Sequence, residues 1–258
     1  VERPAQAACP DAMQALLALL ADAASPIAIV GGAGWNRKAR EAFQTFAERI
    51  GLPVATAFRR QDAIPASSPV YAGSLGYGPN PKLVERVRQA DLVLAVGARL
   101  GEATTEGYAV PSPDHPGQVL VHVHPDPEEL GRVYRSDLSL CCAVDEFAEA
   151  AALWEDAAII PFDAGGEANR EWREWATHAP NKRAPALDLA ACVTLMREGL
   201  AHETVLANGA GNFAGWFHRY WRYEGYPAQL APTCGAMGYG VPAGVAAALR
   251  HPDRPVVA

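Results

Sequence analysis

The chain lacks the short signatures of several common enzyme classes. No Gly-x-Ser-x-Gly, His-Glu-x-x-His or Walker sequence occurs in its 258 residues, and the five cysteines show no Cys-x-x-Cys spacing. Each of those patterns sets a nucleophile, metal ligands or a phosphate loop at a fixed spacing. No nucleophile–base pair can be assembled from the order of residues either. The sequence therefore offers binding groups without an evident reaction.

Basic residues and long apolar runs are also scarce. The formal net charge is −7, with 22 Lys and Arg against 29 Asp and Glu. A nucleic-acid-binding protein would concentrate Lys and Arg to neutralise phosphates, so we expect no nucleic-acid partner. The apolar runs are strand-sized, as at Val93–Val96, and the Ala-rich start is too polar at its edges for a signal peptide. We expect no membrane association.

The cysteines predict a reducing compartment. Cys141 and Cys142 are adjacent, so on a strand they would point to opposite faces and should not pair. Free, mostly buried thiols in the cytoplasm are the interpretation that follows from this usage.

Residues 10–154 alternate between helical and strand patterns. Residues suited to capping a helix precede three one-sided apolar helices, at Asp11, Asn36 and Asn80. Apolar strands are predicted at Ile27–Val30, Val54–Ala57, Leu92–Val96, Val119–Val123 and Leu138–Val144, with a short helix from Pro127 and another over Asp145–Trp154. Such strands indicate a parallel sheet covered on both faces. The predicted fold class is α/β, a doubly wound Rossmann-like sheet at 10–154 after a tail at 1–9.

The pattern breaks after residue 154. Residues 155–185 contain several Pro and Gly residues around a polar helix, and we predict a linker that lies on the surface. Trp172 and Trp175 share one face of that helix, where we predict that they pack and do not contact a ligand. A second α/β unit is predicted at 186–258, with a strand at Thr204–Ala207 and an aromatic helix at Phe213–Trp221. Since the first residue is Val1 and residues 255–258 read as an interrupted strand, we expect a truncated second domain of a longer protein.

Three residues at the predicted carboxyl edge of the first sheet are candidates for binding a nucleotide. Gly32 lies in a Gly-rich turn between a strand and a helix, although the spacing is not that of a dinucleotide fingerprint. Arg99 follows another strand and could contact a phosphate or a flavin, or else pair with Glu102 at the surface. Asp126 could accept hydrogen bonds from ribose hydroxyls.

Two histidines on one strand are a weaker candidate for a metal site. His122 and His124 share a face of the predicted strand, but no further ligands accompany them at a convincing spacing. We interpret them as strand-end residues.

The most informative segment is Gly235–Gly244. Its glycines permit close approach of another molecule to the backbone and positive φ angles. It passes into a small-residue helix, Val241–Leu249, with Pro242 in the first turn. The start of that helix would present unpaired N–H groups and a partial positive charge to whatever the loop holds.

Together these segments resemble the thiamine-diphosphate-dependent enzymes of the acetolactate synthase group. Asn208–Phe213, followed by Gly235–Ala243, resembles that family's diphosphate-binding domain. Gly31–Gly34, Gly97–Leu100 and Val121–Asp126 resemble segments of its central domain. The similarity covers nearly the whole chain. It implies the central domain followed by the first half of the thiamine-diphosphate-binding domain.

The resemblance implies thiamine diphosphate and Mg²⁺ as cofactors. The Gly235 carbonyl and the Met237 N–H would hydrogen-bond the aminopyrimidine, and the Met237 side chain would hold the cofactor in a bent shape. The cofactor-binding residues implied are Ala210, Gly211, Asn212, Phe213, Gly235, Ala236 and Met237. The catalytic Glu and the metal ligands would lie outside this chain, so the chain alone is expected to be inactive.

The resemblance also implies a 2-keto acid substrate, which is decarboxylated and then joined to a second carbonyl. Phe213 replaces the polar residue that acetolactate synthases tend to carry, so a decarboxylase or lyase of the same family stays open. FAD bound near Gly32, Arg99 and Asp126 also stays open. Active sites formed between two chains imply a homodimer or homotetramer. The alternatives from other classes are a non-catalytic module that binds FAD, NAD or an adenine nucleotide, and an NAD-dependent deacylase.

Overall fold

The structure is a computed structural model that describes residues 7–111, 117–154, 164–177 and 187–258. Its larger sheet has six parallel strands in the order β3-β2-β1-β4-β5-β6. The strands are β1 (Pro26–Val30), β2 (Val54–Thr56), β3 (Tyr71–Ser74), β4 (Leu92–Val96), β5 (Val119–Val123) and β6 (Leu138–Leu140). This order reverses between β1 and β4, which is the arrangement of a doubly wound fold. The predicted α/β fold class is confirmed.

Four helices belong to this sheet: α1 (Pro10–Asp22), α2 (Arg37–Ile50), α3 (Pro81–Gln89) and α4 (Val144–Ala152). Alternate residues of β1 enter separate apolar clusters. Ala28 and Val30 join one cluster with residues of α1, α2 and α4, while Ile27 and Ile29 join another with residues of α3. Because both faces are covered, all five residues of β1 are buried, which explains its uninterrupted apolar sequence.

Two of the predicted helix caps are present. The side-chain oxygens of Asn36 and Asn80 accept hydrogen bonds from the first-turn N–H groups of Ala39 and Lys82. The prediction for Asp11 is wrong, because α1 begins at Pro10 and Cys9 stands at the cap position. Asp11 lies instead in the first turn, where its negative charge interacts favourably with the positive end of the helix dipole.

Several predicted elements differ in extent. The short helix expected from Pro127 is a turn, in which Asp126 accepts a hydrogen bond from the N–H of Glu128. The strand expected over Leu138–Val144 ends at Leu140. All five cysteines are free, but the expectation of mostly buried thiols is wrong, since Cys9, Cys141 and Cys234 are exposed.

A fifth helix, α5 (Ala164–Trp175), lies within the predicted surface linker, but it packs against the larger sheet. Trp172 is buried, with its ring 4.6 Å from that of Tyr71. The Asn169 side-chain amide donates to the carbonyls of Ser68 and Tyr71. The predicted packing role of Trp172 and Trp175 is confirmed, since Trp175 also packs against this core, while several other residues of α5 are exposed. The other residues of the predicted linker, 155–163 and 178–185, lie outside the described part of the chain. The domain boundaries stay a prediction.

The second unit holds a smaller parallel sheet in the order β8-β7-β9. Its elements are α6 (Leu189–Gly199), β7 (Val205–Ala207), α7 (Ala214–Tyr220), β8 (Gln229–Leu230), α8 (Gly240–Arg250) and β9 (Val256–Val257). A small core of Val193, Leu206, Trp221, Tyr223 and Ala228 holds the unit together. Among the described helices of the whole chain, none has the length and apolar character needed to cross a membrane.

Candidate functional site

The turn after β7 and the first residue of α8 cross at close range. A Cβ added to Gly240 would lie 2.8 Å from the backbone nitrogen of Gly209. A Cβ added to Gly244, one turn further, would lie 2.9 Å from the Cβ of Ala258. These two glycines allow α8 to lie directly on the end of the smaller sheet. Glycine at position 240 is therefore required by a backbone crossing.

A cavity of about 360 Å³ opens at this crossing. It is lined by Ala207, Asn208, Gly209, Phe213, Gly238, Gly240, Val241 and Ala258. The first residues of α8 thus face the cavity, and Tyr239 at the cap position gives them no side-chain hydrogen bond. Uncapped N–H groups at the start of a helix favour a negatively charged group.

Asn208 contributes a second polar feature to the cavity. The residue is 4% exposed, and its side-chain nitrogen donates to the carbonyl of Gly209. Its side-chain oxygen Oδ1 is buried and has no hydrogen-bond partner among the residues that the structure describes. A buried acceptor without a partner costs free energy unless a ligand or water satisfies it. The sequence analysis included Asn208 in a segment that resembles the family but did not predict it as a binding residue. Its place directly after a buried strand was the signal that could have indicated this role.

The predicted cofactor residues lie in two exposed turns beside this cavity. Of the seven, Phe213 lines it, while Gly211 and Asn212 are exposed in the turn before α7 and Ala210 is partly buried there. Gly235 and Gly238 have φ angles of 74° and 82°, so this segment needs glycine for its backbone conformation. Between them, Ala236 and Met237 are exposed, and the Met237 side chain is 89% accessible.

The loops after β1 and β4 meet where the strand order reverses. Gly32 and Gly97 have φ angles of 71° and 69°, and a Cβ on Gly32 would lie 1.8 Å from the Gly97 carbonyl oxygen. The indole N–H of Trp35 donates to the carbonyl of Gly31. Close packing of two loops accounts for these glycines without a nucleotide.

Arg99 and Asp126 lie at the same edge of the sheet, but each already has a protein partner. Arg99 forms an ion pair of 2.6 Å with Glu129, so of the two alternatives for Arg99 the surface ion pair is present, but with Glu129 in place of Glu102. This pair raises the pKa of Arg99 and lowers the pKa of Glu129. The carboxylate of Asp126 closes its own turn.

His122 lies in β5 and His124 directly after it, and both form hydrogen bonds within the protein; the Nδ1 of His124 accepts the N–H of Asp126. His122 is buried, and its Nε2 lies 2.8 Å from the carbonyl oxygen of Ala98. Burial lowers the pKa of His122, which favours the neutral ring. No group of three or more His, Cys, Asp or Glu side chains suited to a metal ion occurs among the described residues.

Comparison with known proteins identifies both units. The sequence model described as the thiamine pyrophosphate enzyme central domain matches residues 13–151. The model described as the C-terminal TPP binding domain of the same enzymes matches residues 209–258. Sulfoacetaldehyde acetyltransferase of Roseovarius nubinhibens is 28% identical over 96% of this chain and 45% of its own length. The acetolactate synthase isozyme 1 large subunit of Escherichia coli is 24% identical, over 93% and 42%.

A solved structure agrees with the fold. The thiamine diphosphate-dependent 4-hydroxybenzoylformate decarboxylase of Rhodococcus jostii matches with a TM-score of 0.73 at 22% identity, covering 99% of this chain and 46% of that chain. The present chain spans about half the length of the curated relatives that it matches. Because the central-domain model alone matches more than half of the residues, this chain belongs to the thiamine pyrophosphate enzyme family.

Proposed function

We propose that the chain forms part of the cofactor site of a thiamine-diphosphate-dependent transferase that acts on 2-keto acids in the manner of an acetolactate synthase. The observation that carries the proposal is the cavity at the start of α8, where uncapped N–H groups and the partnerless oxygen of Asn208 come together. A ligand with a negative group and a hydrogen-bond donor suits that combination. The cavity lies within the stretch that matches the TPP binding domain.

The residues of Gly235–Gly244, called the glycine segment below, suit the pyrimidine end of the cofactor. The Gly235 carbonyl and the Met237 N–H would hold the aminopyrimidine, and the exposed Met237 side chain would press against the cofactor rings. A flexible apolar side chain is well suited to fill an irregular gap of this kind. Asn212 and Phe213 would flank the diphosphate, and Ala210 would lie near the pyrimidine. Mg²⁺, general to this family, would neutralise the diphosphate.

When bound, thiamine diphosphate supplies an electron sink for cleavage of the bond next to a ketone, while the protein supplies orientation and electrostatics. Relatives named as an acetyltransferase and an acetolactate synthase favour transfer to an acceptor over simple decarboxylation. The decarboxylase among solved structures supports the fold alone at its 22% identity. A decarboxylase or lyase is therefore the second candidate, and the products distinguish the two.

Two further features belong to the proposal. FAD at the loops of Gly32, Arg99 and Asp126 would require the Arg99 guanidinium to exchange Glu129 for a flavin phosphate.

We also propose a cytoplasmic enzyme whose activity needs more than these 258 residues, since the chain spans about half the length of its relatives.

The test uses the enzyme at its full natural length. Purified protein is titrated with thiamine diphosphate and Mg²⁺, and binding is followed by near-ultraviolet circular dichroism. Pyruvate is then supplied, and CO₂ and the organic product are measured, together with any flavin absorbance. We expect saturable binding, CO₂ release and a product with a new carbon–carbon bond. An aldehyde as the sole product would favour the decarboxylase, and no cofactor binding would refute the proposal.

Met237 provides the matching variant. Met237→Ala should lower kcat by tenfold or more while the cofactor affinity falls by less, because its side chain shapes the bound cofactor more than it holds it. Leu195→Ala, at a 67% exposed position of α6, serves as the control and should leave both constants unchanged. Equal losses of kcat and affinity in Met237→Ala would show that the side chain does not shape the cofactor.

A further inference from the structure

A short segment of the larger unit, Arg59–Asp62 between β2 and β3, contacts the strand that leads into the glycine segment. The Asp62 carboxylate accepts hydrogen bonds from the N–H groups of Ala228 and Gln229, at 3.0 and 3.1 Å. The Gln61 N–H donates to the side-chain oxygen of Gln229 at 2.6 Å. Gln61, Asp62 and Gln229 are all buried. The larger unit therefore fixes the position of β8 through buried polar contacts.

Arg59 makes a further contact just before the glycine segment. Its Nη1 donates a short hydrogen bond to the carbonyl of Pro232. The same carbonyl oxygen accepts the N–H of Gly235 at 2.9 Å, which closes the turn that opens the glycine segment. One oxygen atom thus joins the guanidinium of one unit to the first glycine of the other.

The backbone and burial of Arg59 indicate that its position is tightly specified. Its φ angle is 58°, in the left-handed region that residues other than glycine enter at a cost, and the residue is 5% exposed. Its guanidinium lies 4.7 Å from the Phe58 ring centroid, and no salt bridge holds it among the described residues. A buried charged donor that uses a carbonyl as its acceptor forms a strong hydrogen bond. We expect it to restrict the Pro232 carbonyl strongly.

We propose that Arg59 is a positioning residue for the cofactor, which acts through the Pro232 carbonyl to orient Gly235. This inference rests on the proposed function, because Gly235 is there the acceptor for the aminopyrimidine. Loss of the guanidinium frees the Pro232 carbonyl and loosens the turn that orients Gly235, while no group that would itself touch the cofactor is removed. The effect should therefore appear first in cofactor affinity and in the protection of the Gly235 amide.

The experiment compares Arg59→Met with wild type in the enzyme at its full natural length. Arg59→Met keeps an apolar stem and removes the donor. We expect hydrogen exchange over Pro232–Gly238 to accelerate, and the cofactor affinity to fall by about 10- to 100-fold, as for loss of a charged hydrogen bond. Arg59→Lys keeps a charged donor and should recover at least part of both losses.

Arg49 provides a matched control. It also donates to backbone carbonyls, those of Ala151 and Ala152, but inside the larger unit. Arg49→Met should leave cofactor affinity and exchange over Pro232–Gly238 unchanged. If Arg59→Met does not fold, Arg59→Asn takes its place, because asparagine tolerates the left-handed region and also lacks the guanidinium.

The outcomes separate this inference from the proposed function. Unchanged exchange and unchanged affinity in a folded Arg59 variant would overturn the inference and leave the proposed function standing. A wild-type enzyme that binds no thiamine diphosphate would overturn both. Accelerated exchange with weaker cofactor binding, absent from the Arg49 variant, would support the positioning role.

Discussion

His218 is a single residue whose ionisation should be visible in the stability of the protein. Its ring lies edge-on to Phe58, with 5.9 Å between the ring centroids, and within the described part of the chain its buried Nε2 has no hydrogen-bond partner. Burial, and then the positive charge of Arg59, lower the pKa of His218 to about 4. A neutral imidazole is thus part of the folded state at neutral pH.

This shift has a defined consequence for stability against pH. The unfolded chain protonates His218 at about pH 6.5, a higher pH than the folded chain requires. The contribution of the neutral ring to the free energy of unfolding is therefore complete above that pH, and it is lost as the pH falls toward the folded pKa of about 4. The loss should amount to roughly 2–3 kcal/mol. His218→Gln should remove this share of the pH dependence, as measured by urea unfolding at pH 7 and pH 4.5. Equal losses in wild type and variant between those two pH values would contradict the prediction.

Individual residues differ in how far sequence reveals their role. Asn36 and Asn80 were predicted as caps because a cap depends on neighbours within three positions. Asn208 was not selected although its place directly after a buried strand gave a local signal, whereas the environment of Arg59 depends on contacts distant in sequence. For Arg59 the partner lies 173 positions away. Cofactor residues such as Met237 were suggested by family resemblance, and their role stays a prediction.

At the scale of elements, strands with apolar runs were predictable even where they are short, as for β2, β6 and β7, whereas β3 and β8 were missed. β1, β4 and β5 each carry five residues whose apolar character follows from burial on both faces. β3 contains Gly73, and β8 has only two residues, so neither carries a periodic signal. The tryptophans of α5 were predicted to pack because they share one face of the helix, but the partner of Trp172, the ring of Tyr71, is distant in sequence and no local pattern indicates it.

The crossing of α8 over the turn after β7 gives a prediction for a single methyl group. Gly240→Ala would place Cβ 2.8 Å from a backbone nitrogen, which cannot move aside as a side chain could. We expect a loss of about 1–3 kcal/mol in the free energy of unfolding, from overpacking. Cofactor affinity should fall as well, since Gly240 lines the cavity.

Gly215→Ala is the matched control. Gly215 lies in α7, and a Cβ there would meet no atom within 4 Å. Since alanine favours a helix more than glycine does, this change should be neutral or stabilise the protein by up to about 1 kcal/mol. Chemical denaturation of both variants measures the difference. If Gly240→Ala were as stable as Gly215→Ala, the backbone crossing would be looser than the structure indicates.

At the scale of the whole molecule, the two sheets are joined by polar contacts more than by a shared apolar core. The Tyr226 hydroxyl donates to the Trp35 carbonyl, and the Arg40 guanidinium donates to the Glu224 carbonyl, in addition to the contacts of Arg59–Asp62. Buried polar contacts require a specific geometry to avoid unpaired groups. These polar contacts between the two units hold the glycine segment in a defined position relative to the larger sheet.

An exposed apolar face of α8, which begins at the cavity with Val241, bears on the oligomer that the family resemblance implies. Val241, Val245 and Leu249 are four positions apart on one face of the helix, and their exposed fractions are 70%, 56% and 81%. An apolar stripe of this kind is typical of an interaction surface. We expect the full-length enzyme to associate as a homodimer or homotetramer through this face.

Leu249→Glu should therefore lower the mass measured by light scattering toward that of a monomer, because a carboxylate buried in an apolar contact is strongly unfavourable. The matched control is Leu153→Glu, since Leu153 is equally exposed at 81% but follows α4 in the larger unit. That variant should keep the wild-type mass. If Leu249→Glu also kept it, the stripe on α8 would not be a subunit contact. Loss of mass in both variants would instead indicate a general effect of added charge, and the assignment to α8 would fail.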